Sequence, residues 1–251
     1  MFPGKAYDAR ANKRMSWTTS LRKSIYRKMH SKRCARAEAM LPFHLHQLER
    51  VVHFSPQGVI HAGSHDGAEV ALYELIDIKQ IHLFEPQAAI FKLLVQRYGN
   101  RRDIHLYQTA LGSKNGVNAL IHREKEGSPN RSSSASLLKP KAHVANYPYV
   151  QFEKTPTEEV EIRKLDSFQI EADFLVIDTQ GYELEVLHGA EKTLQHIQWI
   201  IFEYWQNEAY ENCAKENELV DFARDCGFYP VLKSFDRTFG NYLMAKKEVI
   251  R

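Results

Sequence analysis

The sequence predicts an α/β fold: an open, mostly parallel sheet with helices on its faces and an antiparallel hairpin at its C-terminal edge. Three observations predict it. Short apolar runs such as Val59-Ile60 and Phe174-Leu-Val-Ile177 alternate with helical stretches, the pattern of parallel strands joined by crossover helices. Two of these runs lead into a glycine turn and then an amphipathic segment, at Gly63-Ser-His-Asp-Gly67 and at Asp178-Thr-Gln-Gly181. Near the end of the chain, two apolar runs flank Asp236-Arg-Thr-Phe-Gly240, a turn that permits a hairpin.

Taken in order, parallel strands are expected near 58–62, 80–84, 104–108, 173–178 and 198–203, with helices near 67–77, 87–98, 182–195 and 215–226. Leu184, Leu187, Ala190 and Leu194 recur at helical spacing and form an inward stripe. Phe228–Lys233 and Asn241–Lys246 supply the edge hairpin. Between Gly112 and Leu165 the alternation breaks, leaving short strands near 117–122 and 158–163 around a polar stretch that includes Ser132–Ser136. A long loop in a compact domain is commonly functional, so this serine run reads either as a surface loop or as a lid. Tyr147, Tyr149 and Phe152 are candidates for a stacking wall.

The chain divides into a basic N-terminal extension over 1–50 and one domain over 51–251. At 251 residues and 43% hydrophobic content it can bury one substantial core. Residues 1–50 hold twelve Lys and Arg against three acids, so they carry +9 within a total of +3. Leu21, Ile25, Tyr26 and Met29 place one amphipathic helix over 17–36, and Pro42 separates it from a second over 43–53. Such an arm suits nucleic acid, anionic lipid or an acidic partner, or else a solvated helix face. No apolar run approaches a membrane span. Cys34, Cys213 and Cys226 show no CxxC spacing, which fits reduced thiols in a cytoplasmic protein and no structural metal site.

In open α/β sheets a ligand sits beyond the carboxyl ends of the strands, and an acid ending the second strand reads ribose hydroxyls. Glu85 occupies that position. The first glycine turn is not a dinucleotide loop, because His65 stands where the second glycine of G-x-G-x-x-G would be. Asp66 and Glu69 beside the turn would also repel a pyrophosphate. A cationic nucleoside suits it better, and S-adenosyl-L-methionine is one.

Val59-Ile-His-Ala-Gly-Ser-His-Asp-Gly67, Phe84-Glu-Pro86, Thr109-Ala-Leu-Gly112, Arg131-Ser-Ser-Ser-Ala-Ser-Leu-Leu138, Val176–Ala190 and Ile201-Phe-Glu203 together resemble the FkbM family of S-adenosylmethionine-dependent methyltransferases over about residues 55–246. The resemblance implies a Rossmann-like seven-stranded methyltransferase sheet and O-methylation of a sugar, glycan or secondary metabolite. It also implies a cofactor set of His61, Gly63, Ser64, Asp66, Gly67, Glu85, Thr109, Ala110 and Asp178, with Ser134, Gln180, Tyr182 and Glu183 toward the acceptor. Two positions depart from the family pattern: His61, where many relatives have Asp, and Gln180, where they have Glu.

Asp178 and Glu203 are expected to end adjacent strands and to put two carboxylates at the acceptor. Either could take the proton an attacking hydroxyl must lose, and His65 or His61 is an alternative base. The competing role for Asp178 is a helix cap. Expected partners are a small-molecule or saccharide acceptor, with no membrane span and with a homo-oligomer allowed. A nucleic-acid methyltransferase gripping its substrate with the basic arm ranks lower, since no RNA-binding module is present. A non-catalytic nucleoside-binding protein is the third reading.

Overall fold

The computed structural model describes residues 54–122, 125, 133–154 and 158–250, together with Phe43, Leu48 and Val51. The helix expected over 17–36, most of the one over 43–53, and Cys34 lie outside the described residues. Phe43 and Leu48 are buried in the domain core beside Val59 and Phe174.

The parallel strands are β1 (Gly58–Ala62), β2 (Gln80–Phe84), β3 (Ile104–Tyr107), β7 (Phe174–Ile177) and β8 (Trp199–Trp205). Between them come β4 (Ala110–Leu111), β5 (Val117–Ile121) and β6 (Glu158–Arg163), and β9 (Phe228–Asp236) and β10 (Phe239–Lys246) close the chain. The helices are α1 (Val70–Leu75), α2 (Ala88–Tyr98), α3 (Ala142–Asn146), α4 (Glu183–His188) and α5 (Glu216–Asp225). The seven-stranded sheet runs β3-β2-β1-β7-β8-β10-β9. Its first five strands are parallel, and β10 pairs antiparallel with both β8 and β9. Strand order therefore reverses between β1 and β7, which opens a crevice at their carboxyl ends.

Both faces of the sheet are covered, which is why β1, β7 and β8 are buried at every position rather than at alternate ones. On one face Ile60, Leu175 and Phe202 pack against Val186 and Leu187 of α4 and Leu219 of α5. On the other, Val59, Val176 and Ile201 pack against Val70 and Tyr73 of α1 and Leu94 of α2. The Asp173 carboxylate accepts the backbone N–H groups of Gln57 at 2.8 Å and Gly58 at 3.0 Å, pinning the start of β1 to the start of β7.

Several expected boundaries shift. The helix expected over 67–77 begins only at Val70, because Gly67 has φ +70 and cannot continue a right-handed turn. The helix expected over 182–195 ends at His188, and a 3-10 turn follows at Thr193–Gln195. Asp166 makes that break, its carboxylate accepting the backbone N–H groups of Lys192 at 3.0 Å and Thr193 at 2.8 Å. β8 runs two residues past Glu203, to Trp205. The hairpin is longer than expected, and its register slips where Met244 meets Pro230, since proline gives the ladder no N–H. β4, only two residues long, joins the strands expected near 117–122 and 158–163 in a separate sheet of order β4-β6-β5.

Candidate active site

A narrow pocket of about 60 Å³ opens at the carboxyl ends of β1, β2 and β7, with Gly63, His65, Glu85, Thr109, Ala110 and Asp178 on its wall. Gln180 and Tyr182 line it from the second glycine turn. Ile121 of β5 and the segment containing Ser133, Ala135, Ser136 and Leu137 close the remaining side. The small sheet thus forms the outer wall, and Ser133–Leu137 lies across the mouth as a strap.

The turn after β1 is shaped by how closely it approaches its neighbours. Gly63 has φ +78, and a Cβ there would fall 1.8 Å from the Asp178 carbonyl oxygen. Only glycine lets the two strand tips lie this close. At Gly67 a Cβ would meet Tyr98 at 2.8 Å and Leu94 at 2.9 Å, so the missing side chain lets α2 pack against the turn.

Glu85 follows β2 and is buried on the pocket wall, with Oε1 accepting the Gln87 backbone N–H at 2.8 Å. Burial pushes its carboxyl up to about 7, against the opposing pull of the Gln87 amide and His65. Asp178 is likewise raised by burial and drawn back by the Gln180 amide. Gln180 Nε2 donates to Asp178 Oδ1 at 2.8 Å and to Glu203 Oε2 at 3.1 Å. Glu203 is raised well above the usual carboxylate range, first by burial and then by the charges of Asp178 and Glu183. In this pair Glu203 is the one that burial and neighbouring charge push up further, and Asp178 is the member that faces the pocket.

The turn amides that a capping Asp178 would take are taken by Glu183. Its Oε1 accepts the backbone N–H groups of Thr179 at 3.0 Å and Gly181 at 3.1 Å and the Thr179 hydroxyl at 3.2 Å. Asp178 is thereby left free of capping, and Glu183 is a turn clamp away from both cavity walls.

Other expected residues lie elsewhere. His61 points to the α1 face, where its Nδ1 hydrogen-bonds the Tyr73 hydroxyl at 2.9 Å, and burial lowers it to about 3. A histidine so placed is a core group rather than a base at the mouth. The Ser64 hydroxyl donates to the Phe84 carbonyl at 3.3 Å, inside the turn. Asp66 is raised by burial but lowered more strongly by His65 and Arg97, the latter 2.9 Å away, so it is ionised and paired behind the turn. Glu203 does not touch the pocket wall and reaches it only through Gln180. The Thr109 hydroxyl donates to the Glu161 carbonyl at 2.9 Å, tying the wall to β6. Ser134 contributes its carbonyl to the Tyr210 hydroxyl at 2.9 Å, while its neighbours Ser133 and Ser136 line the pocket. Tyr147 and Phe152 pack in an aromatic cluster with Trp205 and Tyr210, and Tyr149 is exposed.

Sequence reasoning missed Tyr210. Its hydroxyl also donates to Gln180 Oε1 at 3.0 Å, while Ser136 Oγ donates to the Gln180 carbonyl at 2.7 Å. Gln180 is therefore held from both sides in a left-handed conformation, φ 56. A lone tyrosine in a connecting segment carries no spacing that could have announced this role.

Among the described residues, no group of three His, Cys, Asp or Glu side chains is arranged to hold a metal, and no helix is long and apolar enough to cross a membrane. Cys213 and Cys226 are free thiols.

Residues 61–230 match the Methyltransferase FkbM domain. The 2-O-methyltransferase NoeI of Sinorhizobium fredii (strain NBRC 101917 / NGR234) is 28% identical over 170 residues, covering 65% of this chain and 69% of that one. Among solved structures, a methyltransferase FkbM from Methylobacillus flagellatus KT aligns with a TM-score of 0.48 and 15% identity, covering 75% of this chain. The alignment spans 43% of that longer protein. A magnesium protoporphyrin IX methyltransferase from Synechocystis PCC 6803 with bound SAM aligns with a TM-score of 0.44 and 8% identity, over 98% of this chain and 87% of its own. With the family domain spanning the two glycine turns, the strand-tip acids and the small outer sheet, this chain belongs to the FkbM family of methyltransferases.

Proposed function

We propose that the chain transfers a methyl group from S-adenosyl-L-methionine to a hydroxyl of a sugar or other small metabolite. The observation that carries this reading is the convergence of Gly63, Glu85 and Asp178, from the ends of three adjacent strands, on one pocket wall. The donor set fits the group. Glu85 offers carboxylate oxygens to paired ribose hydroxyls, and the surrounding acids match a cation rather than a pyrophosphate. The pocket, at about 60 Å³, is smaller than the roughly 300–1,000 Å³ of small-molecule sites. Binding therefore requires the Ser133–Leu137 strap to draw outward.

When bound, the donor supplies an electrophilic methyl on a positively charged sulfur. The chain's own residues do the rest. Holding an acceptor oxygen in line removes much of the entropic barrier. Asp178, buried and raised above an ordinary carboxylate, is the better placed base for the hydroxyl proton. Gln180 fixes its orientation, and Glu203 fixes Gln180. The similarity to NoeI, a 2-O-methyltransferase, supports oxygen as the acceptor atom.

Calorimetry with S-adenosyl-L-methionine tests the reading directly. We expect saturable binding that weakens in Glu85→Ala by roughly 1.5–3 kcal/mol, the range for hydrogen bonds to a charged group. Well-folded protein with no detectable binding would end the proposal. Labelled-donor turnover against metabolite extracts, read by mass spectrometry, then identifies the acceptor.

A further inference from the structure

We infer that a second, larger cavity beside the pocket is the acceptor subsite and takes a neutral oligosaccharide longer than one sugar; this rests on the hydroxyl-methylation reading above. The groove has a volume of about 950 Å³ and meets the cofactor-side pocket at Tyr182, which lines both. That volume stands at the upper end for small-molecule sites, which points to an acceptor of several rings with one hydroxyl reaching the strand tips.

The chemistry of the groove selects uncharged polyols. Its carboxylates are already engaged. Glu216 Oε1 accepts from Lys233 and from the Tyr242 hydroxyl, each at 2.6 Å, and Glu218 Oε2 accepts the Lys215 backbone N–H at 2.7 Å. Glu208 pairs with Lys141, and Glu185 accepts the Ser113 hydroxyl. Left for a ligand are the side-chain amides of Asn207, Asn212 and Asn217, each both donor and acceptor. Trp205 lies at the wall, 5% exposed, with its Nε1–H buried and without a partner among the described residues. A donor in that state takes a bridging water or, after a small shift of the wall, an incoming oxygen.

The charge balance does not favour polyanions. Two lysines, Lys114 and Lys215, face four carboxylates, those of Glu185, Glu208, Glu216 and Glu218. With Lys141 on Glu208 and Lys233 on Glu216 the charges balance, so the groove offers a phosphodiester backbone no surplus of positive charge.

The test uses the full chain on an array of immobilised neutral, sulfated and phosphorylated oligosaccharides, with single-stranded RNA oligonucleotides alongside. We expect retention on neutral glycans, at least tenfold weaker in the Asn207→Ala/Asn217→Ala double variant, with unchanged melting temperature and unchanged donor affinity by calorimetry. Trp205 emission should shift on titration with a retained glycan. The inference is overturned if neutral glycans are not retained, if anionic glycans or RNA are preferred, or if the double variant binds them as well as the parent. Glycan retention without donor binding would instead sink the methyl-donor reading and leave the groove assignment standing.

Discussion

The Gln180 carboxamide stands 2.8 Å from Asp178 Oδ1 and donates to it. The same nitrogen reaches Glu203 Oε2 at 3.1 Å, so one amide organises two carboxylates that would otherwise repel. Its oxygen is fixed in turn by the Tyr210 hydroxyl. This arrangement decides which acid can act: Asp178 is presented to the pocket and Glu203 supports from behind.

Asp178→Asn should lower kcat by about 10²- to 10⁴-fold, the usual worth of a general base, while donor affinity by calorimetry stays near the parent value. Gln180→Glu should put a further carboxyl beside Asp178 in place of the amide donor and raise the proton affinity of Asp178. The acid limb of the kcat/KM profile then moves to higher pH. Full turnover in Asp178→Asn would remove this residue from proton transfer.

Glu85 should make donor binding pH-dependent. Its carboxyl is pushed up to about 7 by burial, and the ionised form is the one that accepts two hydroxyls. Affinity is therefore expected to fall up to about tenfold for each pH unit below 7, with the Glu85→Gln variant showing a flat response. A parent affinity independent of pH between 5 and 8 would place Glu85 outside the binding step.

The same displacement carries a stability consequence of opposite sense. A carboxyl moved from 4.5 to about 7 makes the fold more stable when protonated, by on the order of 3 kcal/mol. That contribution is complete below about 4.5 and is lost as pH rises through 7. Glu69, also raised to about 7 by burial, acts in the same direction. Glu85→Gln should therefore melt higher than the parent at pH 8, and this gain should shrink at pH 5.

Tyr73→Phe should destabilise the domain by about 1–3 kcal/mol, since it leaves His61 Nδ1 buried without its hydroxyl partner. Urea titration measures it. Donor affinity should hold, because neither residue touches the pocket wall. A loss of binding with stability intact would return His61 to the cofactor site.

Gly63→Ala should be among the most damaging single changes, because the new methyl would overlap the Asp178 carbonyl at 1.8 Å. More than about 3 kcal/mol of stability should go, or the turn should shift and donor binding with it. Gly116→Ala is the control, since its Cβ would meet nothing within 4 Å although its φ is +66. Equal melting temperatures for the two variants would show that the close approach at Gly63 is not required.

The sequence by itself determined the layered sheet, because the dominantly apolar runs at β1, β7 and β8, broken only by His61 and Glu203, have no stable place except between two layers of helices. It also determined that Gly63, Glu85 and Asp178 belong at strand ends, since glycine turns and terminal acids are local signals. Only the tertiary structure decided what each polar group does there. His61 and His65 are four residues apart in one motif, yet strand alternation and the turn send one to the core beside Tyr73 and the other to the pocket wall. Glu183 and Asp178 look interchangeable as acids around one turn, and the backbone N–H groups of Thr179 and Gly181 select Glu183 as the clamp. The serine run was legible as a lid, but which of its groups meet the pocket, and that Tyr210 joins them from a connection distant in the chain, was decided by packing that no local periodicity encodes.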